Sequence, residues 1–306
     1  MHAATVSNPS MVHVQTPTVI IGEFRCVPTH PSFREDTCAD VAWPSMAFPR
    51  VPIGFRFEGR DPEVADQNSV VLFNPGVSYR RFKIDERGSQ TDWIEIRPDV
   101  LAAMIAPHDP TVYDRPGSPF TLNIAQAPSV AYMLQRMSFL AAKCGGCLSL
   151  AAAEEQGRKI ARAVVDALYD GSGGGANDRL HLESRHRAVA NDVKTLLALN
   201  MRAGMSLSSL SDAVGVSPFH LCRVFRRITG TTIHRYLDRL RLRASLELLG
   251  ETQQRLASIA LTVGYSSESH FSDAFHREFS MRPSKFREST QPMNLKGGRS
   301  AAFDAL

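Results

Sequence analysis

Three sets of residues in this chain combine types and spacings that can support chemistry. In the last third, two stretches carry Phe219, Cys222, Arg223 and Arg226, and then Glu268, Ser269, Ser272 and Asp273. These are guanidinium donors, hydroxyls and carboxylates suited to the donor and acceptor pattern of base edges. Nearer the start, Tyr79, Arg80, Arg81, Asp85, Arg87, Asp92 and Trp93 crowd polar and aromatic groups into one segment. An arginine there can grip a carboxylate ligand through two parallel hydrogen bonds, or the segment is a salt-bridged strand edge. The third set is Cys144 and Cys147 in "CGGC". With Cys26 and Cys38 they can make a four-thiolate zinc or redox site, although one Cys-x-x-Cys pair is a weak signal.

The first set needs helices to position it, and the sequence supplies them twice. "AVGVSPFHLCRVF" (213–225) and "TVGYSSESHFSDAF" (262–275) repeat one phrase. In each, a short apolar-periodic segment stops at a glycine, Gly215 or Gly264. A serine, Ser217 or Ser267, then stands where an N-cap belongs. Short helix, glycine turn and capped second helix is helix-turn-helix grammar. Leu221, Val224, Phe225 and Ile228 share one face, as do Phe271, Ala274, Phe275 and Phe279, and these faces are expected to pack inward. The opposite faces carry the first set. Packing is common to both units and outward residues differ, as expected if each unit reads different bases. Between them "TIHRYLDRLRLRASLELLG" predicts a helix ending at Gly250, roughly 27 Å long at 1.5 Å per residue. Upstream, Val189, Val193, Leu196 and Leu197 have helical spacing.

Composition sets the frame. The chain has 306 residues, 43% hydrophobic and 22% charged, ordinary for a soluble protein with room for two domains. It contains no apolar run long enough to span a membrane and no secretory pattern at its start. Five cysteines do not suggest a disulfide framework, so a reducing cytoplasm is expected. Residues 181–291 hold 16 Lys and Arg against 10 Asp and Glu, while the remainder holds 19 against 21. A basic end on a slightly acidic body suits a polyanionic partner.

"DGSGGGANDR" reads as a seam. We therefore expect a domain over 14–169, a flexible linker over 170–186, a helical domain over 187–290 and a disordered tail over 291–306. Within the first, "TVIIGEFRCV", "VPIGFRFEG", "SVVLFNPGVSYRRFKI" and "TDWIEIRP" are strand-like, and 98–169 turns helical. Strands followed by helices predict an α+β domain, a small barrel with helices at one end, ahead of an all-α domain with two helix-turn-helix units.

At this point a family resemblance is visible. Ile259, Ala260, Val263, Gly264, Tyr265, His270, Phe271, Phe275, Phe279, Pro283, Phe286 and Arg287 stand where the signature of AraC/XylS-type transcriptional regulators places them. The resemblance covers about 188–289. It implies a module whose two recognition helices enter adjacent major-groove segments of double-stranded promoter DNA. Carried onto this chain, the first reader is Phe219, Cys222 and Arg223, and the second is Glu268, Ser269, Ser272 and Asp273. Arg223 can bond guanine O6 and N7 together, whereas Arg226, Arg227, Lys285 and Arg287 are expected at phosphates. Asp273 stands where the family often has arginine. It either accepts from a cytosine amino group, repels phosphate at wrong sites, or pairs with Arg277. Ser280 replaces the usual glycine after the second reader, so a less sharply ended helix is expected there.

More loosely, 71–93 resembles part of the family's cupin-like effector barrel, with Tyr79, Arg80, Arg81, Arg87 and Trp93 as candidate ligand-binding residues. The segment 1–130 offers only His2, His13, His30 and His108, with no His-x-His, so neither a catalytic metal nor another cofactor is expected, and no enzymatic activity. The resemblance further implies a homodimer, with 129–143 and 149–169 as dimer helices or as packing within one subunit. Its other implied partners are RNA polymerase, as for an activator, and a small-molecule effector. The alternative is a thiol- or zinc-dependent sensor or methyl acceptor using Cys144 and Cys147.

Overall fold

The computed structural model describes residues 10–33, 36–144, 147–170 and 180–290. Both the 291–306 tail and most of the glycine-rich seam lie outside these described residues. The strands are β1 (Ser10–Gln15), β2 (Val19–Cys26), β3 (Thr37–Cys38), β4 (Ser45–Pro49), β5 (Ile53–Phe57), β6 (Glu63–Ala65), β7 (Ser69–Phe73), β8 (Ser78–Lys83), β9 (Ser89–Ile96) and β10 (Ile124–Gln126). They form two antiparallel sheets, in the orders β1-β2-β9-β4-β7-β10 and β3-β8-β5-β6. Pairing begins at Ser10, four residues earlier than the expected boundary, because β1 pairs along β2 from Ser10 opposite Phe24.

The larger sheet is buried on both faces, which is why its strands read as nearly continuous apolar runs. Ile20, Ala47, Val71, Phe73 and Trp93 point toward the smaller sheet and pack with Phe55, Phe57 and Tyr79. Their neighbours Val19, Ile21, Met46, Phe48, Val70, Leu72, Ile94 and Ile96 point the other way, into a second core. That second core is covered by helices α1 (Pro98–Ile105), α2 (Ser129–Lys143) and α3 (Leu150–Asp170). The helices thus lie across the outer face of the barrel, not at one end of it. A sheet apolar on both sides needs both sides covered.

The C-terminal part is all helical: α4 (Leu180–Leu199), α5 (Leu207–Val214), α6 (Pro218–Thr229), α7 (Ile233–Glu251), α8 (Leu256–Thr262), α9 (Glu268–Phe279) and α10 (Pro283–Thr290). Helix α4 begins inside the interval read as linker. Val189, Val193, Leu210, Leu221, Val224, Phe225, Tyr236 and Leu240 form the core of the first helix-turn-helix unit. The second unit has no separate core. Ile259, Ala260, Phe271, Phe275, Phe279 and Phe286 belong to the same apolar cluster as Met133, Leu140 and the barrel residues beneath α2.

Helix α7 is the joint between the halves. Gly250 does not end it: the residue is helical, and a Cβ there would come within 2.4 Å of Leu140 Cδ1. Glycine at 250 therefore lets α7 lie close against α2. Near the other end, Tyr236 Oη donates to Asp66 Oδ2 at 2.7 Å, and Asn68 Nδ2 donates to the Tyr236 carbonyl at 3.0 Å. Arg243, 2% exposed, donates to the carbonyls of Gln67 at 2.6 Å and Ala127 at 2.7 Å. Burial lowers its pKa to about 10, so it stays charged at neutral pH. A denser charge cluster sits near the far end of α7. Arg136 Nη1 donates to Asp92 Oδ2 at 2.7 Å and its Nη2 to Glu251, while Arg50 Nη2 donates to Glu247 at 2.7 Å and Glu251 at 3.3 Å. Burial works to discharge Arg136, but Asp92, Glu251 and Glu247 outweigh it and raise its pKa.

Candidate functional site

Each of α6 and α9 is set by the same local chemistry. Ser217 accepts from the His220 amide at 3.3 Å and Ser267 from the His270 amide at 3.2 Å, so both helices start where the sequence places them. The preceding turns both use a left-handed glycine, Gly215 with φ 68° and Gly264 with φ 97°. Only Gly264 is also confined, since a Cβ there would meet the Arg202 carbonyl at 2.6 Å. Leu221, Val224, Phe225, Phe271, Ala274, Phe275 and Phe279 are buried. Phe219, Cys222, Arg223, Arg226, Glu268, Ser269 and Asp273 are exposed, and Ser272 is half-buried. Phe219, at 80%, is the most exposed large apolar side chain among the described residues.

The cations expected at phosphates differ in setting. Arg226 and Arg227 are exposed on the last turn of α6, and Lys285 pairs with Glu288 at 3.8 Å. Arg287 is half-buried and donates to the Gln254 carbonyl at 2.6 Å, tying α10 to the loop before α8. Arg223 Nη2 lies 3.4 Å from His220 Nδ1. Arg277 does not pair with the Asp273 carboxylate; its Nε reaches the Asp273 backbone carbonyl at 3.4 Å. Asp273 therefore keeps its carboxylate on the exposed face. Beneath α6, burial holds His186 below the usual histidine pKa, helped by Arg227, His220 and Arg223.

Ser280 corrects one expectation. It takes the left-handed conformation itself, φ 54° and ψ 20°, and its amide donates to the His276 carbonyl. Helix α9 thus ends as sharply as α6 does at Gly230, but with a Cβ in the disfavoured region. Replacing Ser280 by Gly should raise stability by about 0.5–1 kcal/mol, read from the urea midpoint of the full chain at unchanged slope.

A second site lies between the two sheets. It is a cavity of ≈ 520 Å³ walled by Phe24, Phe55, Phe73, Tyr79 and Trp93, with His30, Ser32, Asp40, Arg81, Thr91 and Glu95 among its polar groups. The size is in the range of small-molecule sites. Of the five ligand candidates, Tyr79, Arg81 and Trp93 line it. Arg80 and Arg87 do not: Arg80 pairs with Asp36 at 2.9 Å, and Arg87 with Asp85 at 2.8 Å, both on the surface. Strand period explains Arg80, because residues 79 and 81 share one face of β8 and residue 80 takes the other, while Arg87 lies in the turn between β8 and β9. The same alternation along β9 sends Thr91, Trp93 and Glu95 into the cavity and Asp92 to the opposite face, against Arg136. Burial raises the pKa of Glu95, which accepts from the Trp43 amide at 3.1 Å.

Cys26 and Cys38 do not converge with Cys144 and Cys147 on one site. Cys144 and Cys147 are joined as a disulfide where α2 ends, Cys26 contacts Ser32, and Cys38 is exposed beside Ser78. Among the described residues no group of three or more metal-ligating side chains forms, and no helix is long and apolar enough to cross a membrane.

Comparison with known proteins agrees with the helical geometry. A family described as a helix-turn-helix domain matches residues 210–289. The probable transcription factor PqrA of Proteus vulgaris is 32% identical over 103 residues, covering 33% of this chain and 84% of that protein. The transcriptional activator RhaS of an Enterobacter species is 37% identical over 101 residues, covering 33% of this chain but only 36% of its own length. A solved AraC-type DNA-binding regulator from Chromobacterium violaceum is 28% identical and covers 37% of this chain and 96% of that one, with a TM-score of 0.33. Capped tandem helix-turn-helix units, a basic helical end, the family match and the likeness to PqrA converge: the chain belongs to the AraC/XylS family of DNA-binding transcription regulators.

Proposed function

We propose that this chain reads promoter DNA with α6 and α9 in adjacent major-groove segments, and that occupancy of the cavity between the sheets controls that reading. The observation that carries the proposal is the split of both helices into a buried apolar face and an exposed face of unlike polar residues. Phe219, Cys222 and Arg223 are the base-reading residues of α6, with Arg223 opposite guanine. Glu268, Ser269, Ser272 and Asp273 spell the second segment, and Arg226, Arg227, Lys285 and Arg287 set register on phosphates. The role is that of an activator that places RNA polymerase. A homodimer, if formed through helices, uses α3, since α2 is buried from Ala131 to Ala142 within its own chain.

The test is selection of duplexes from a random pool by the full chain at moderate salt. Two recognised blocks about one helical turn, roughly 10 base pairs, apart are expected. No preference over random competitor removes the reading. The full chain is needed because α7 buries Leu242, Leu246 and Leu249 in the core shared with the barrel.

A further inference from the structure

We infer that the cavity binds an organic monocarboxylate with an apolar body, and that Arg81 is the residue that selects it. The inference rests on the cavity being the effector site and adds the class of effector.

Four arginines are buried among the described residues: Arg50, Arg81, Arg136 and Arg243. Arg50 and Arg136 face carboxylates, and Arg243 caps two backbone carbonyls. Arg81, 8% exposed, has neither. Its hydrogen bonds go to neutral hydroxyls, Tyr79 Oη at 2.5 Å and Ser32 Oγ at 3.5 Å, and its guanidinium lies 3.9 Å from the Phe24 ring centroid. No carboxylate of the described residues comes within ion-pair distance of it. A buried cation with no counter-charge among these residues is costly, and an anion that enters the cavity removes that cost. The fork of the guanidinium matches a carboxylate in particular.

The remaining wall defines the rest of the ligand. His30, also in the cavity wall, has Nδ1 held by Ser32 at 2.9 Å while its Nε2 is buried without a hydrogen-bond partner, which offers a second polar contact. Phe24, Phe55, Phe73 and Trp93 demand an apolar body, ring or chain, to displace water from their faces. Glu95 is the counterweight. It lines the same cavity with its carboxyl held by the Trp43 amide, and it stands outside ion-pair distance of Arg81. A second negative charge on the ligand meets no second arginine or lysine there and can meet Glu95 or Asp40, so dicarboxylates are disfavoured.

Calorimetric titration of the full chain with matched probes tests this: 4-tert-butylbenzoate and octanoate, their amides, and terephthalate and suberate. The monocarboxylates should bind about tenfold or more tighter than the amides. In Arg81→Met that preference should vanish, and in Glu95→Gln the dicarboxylates should gain. Amides binding as tightly as carboxylates to the native chain would overturn the anion class while leaving the cavity an effector site. A carboxylate preference that survives in Arg81→Met would remove Arg81 as its source. If none of the six binds, the effector-site reading falls with it. The native-chain comparison stands even if Arg81→Met fails to fold, and Arg81→Gln then repeats the variant arm.

Discussion

Arg136→Met should destabilise the full chain by about 3–5 kcal/mol, measured by urea unfolding, because it strands a carboxylate inside the protein. Asp92 and Arg136 are each 2% exposed and meet at 2.7 Å. With Arg136 gone, Asp92 retains only Arg50, whose Nη1 is 3.8 Å from Asp92 Oδ1 and whose Nη2 is committed to Glu247 and Glu251. Methionine fills much of the space of the lost side chain, so the loss reports charge more than cavity. The double variant Arg136→Met with Asp92→Asn should recover a large part of it, since the uncompensated charge is then absent. A single variant within about 1 kcal/mol of the native chain would show that the cluster contributes little to holding α7 against the barrel.

On the proposed reading of α6, Arg223→Ala should flatten preference at one base pair of the selected site, by about 1–3 kcal/mol of discrimination. Affinity for the other positions and the slope of affinity against salt should change little. Arg226→Ala is the contrast: it should weaken all duplexes alike and reduce that slope by about one. Arg287 is a poorer probe of phosphate contact, because its substitution also removes the hydrogen bond to the Gln254 carbonyl. If the Arg223→Ala motif is identical to the native one, Arg223 is not the reading residue.

What could be read from the chain beforehand was what depends on neighbours a few positions away. Ser217, Ser267, Gly215 and Gly264 act within one turn of their own helices, so the repeated phrase located both units and their outward faces. Arg81 was separable from Arg80 in principle, since strand period alone puts them on opposite faces. What was not legible comes from distant pairings. Glu95, Phe24 and Phe73 meet at the cavity only because β9, β2 and β7 share a sheet with a particular register. Asp92 finds Arg136 across 44 residues, and Arg136 finds Glu251 across 115, with no local pattern to announce either. Gly250 misled for the same reason. A glycine near the end of a helical run reads as a stop, and its actual use depends on Leu140 of another helix.

Because α7 presents Tyr236, Arg243, Glu247 and Gly250 to surfaces of the barrel half, its sequence is written for this barrel as much as for DNA. The DNA-binding end is therefore not a portable cassette. Grafted onto another regulator's front half, it would carry a guanidinium and a tyrosyl hydroxyl shaped to a loop its new host lacks, and a chimaera would have to bring residues 66–68 along with the helix that grips them.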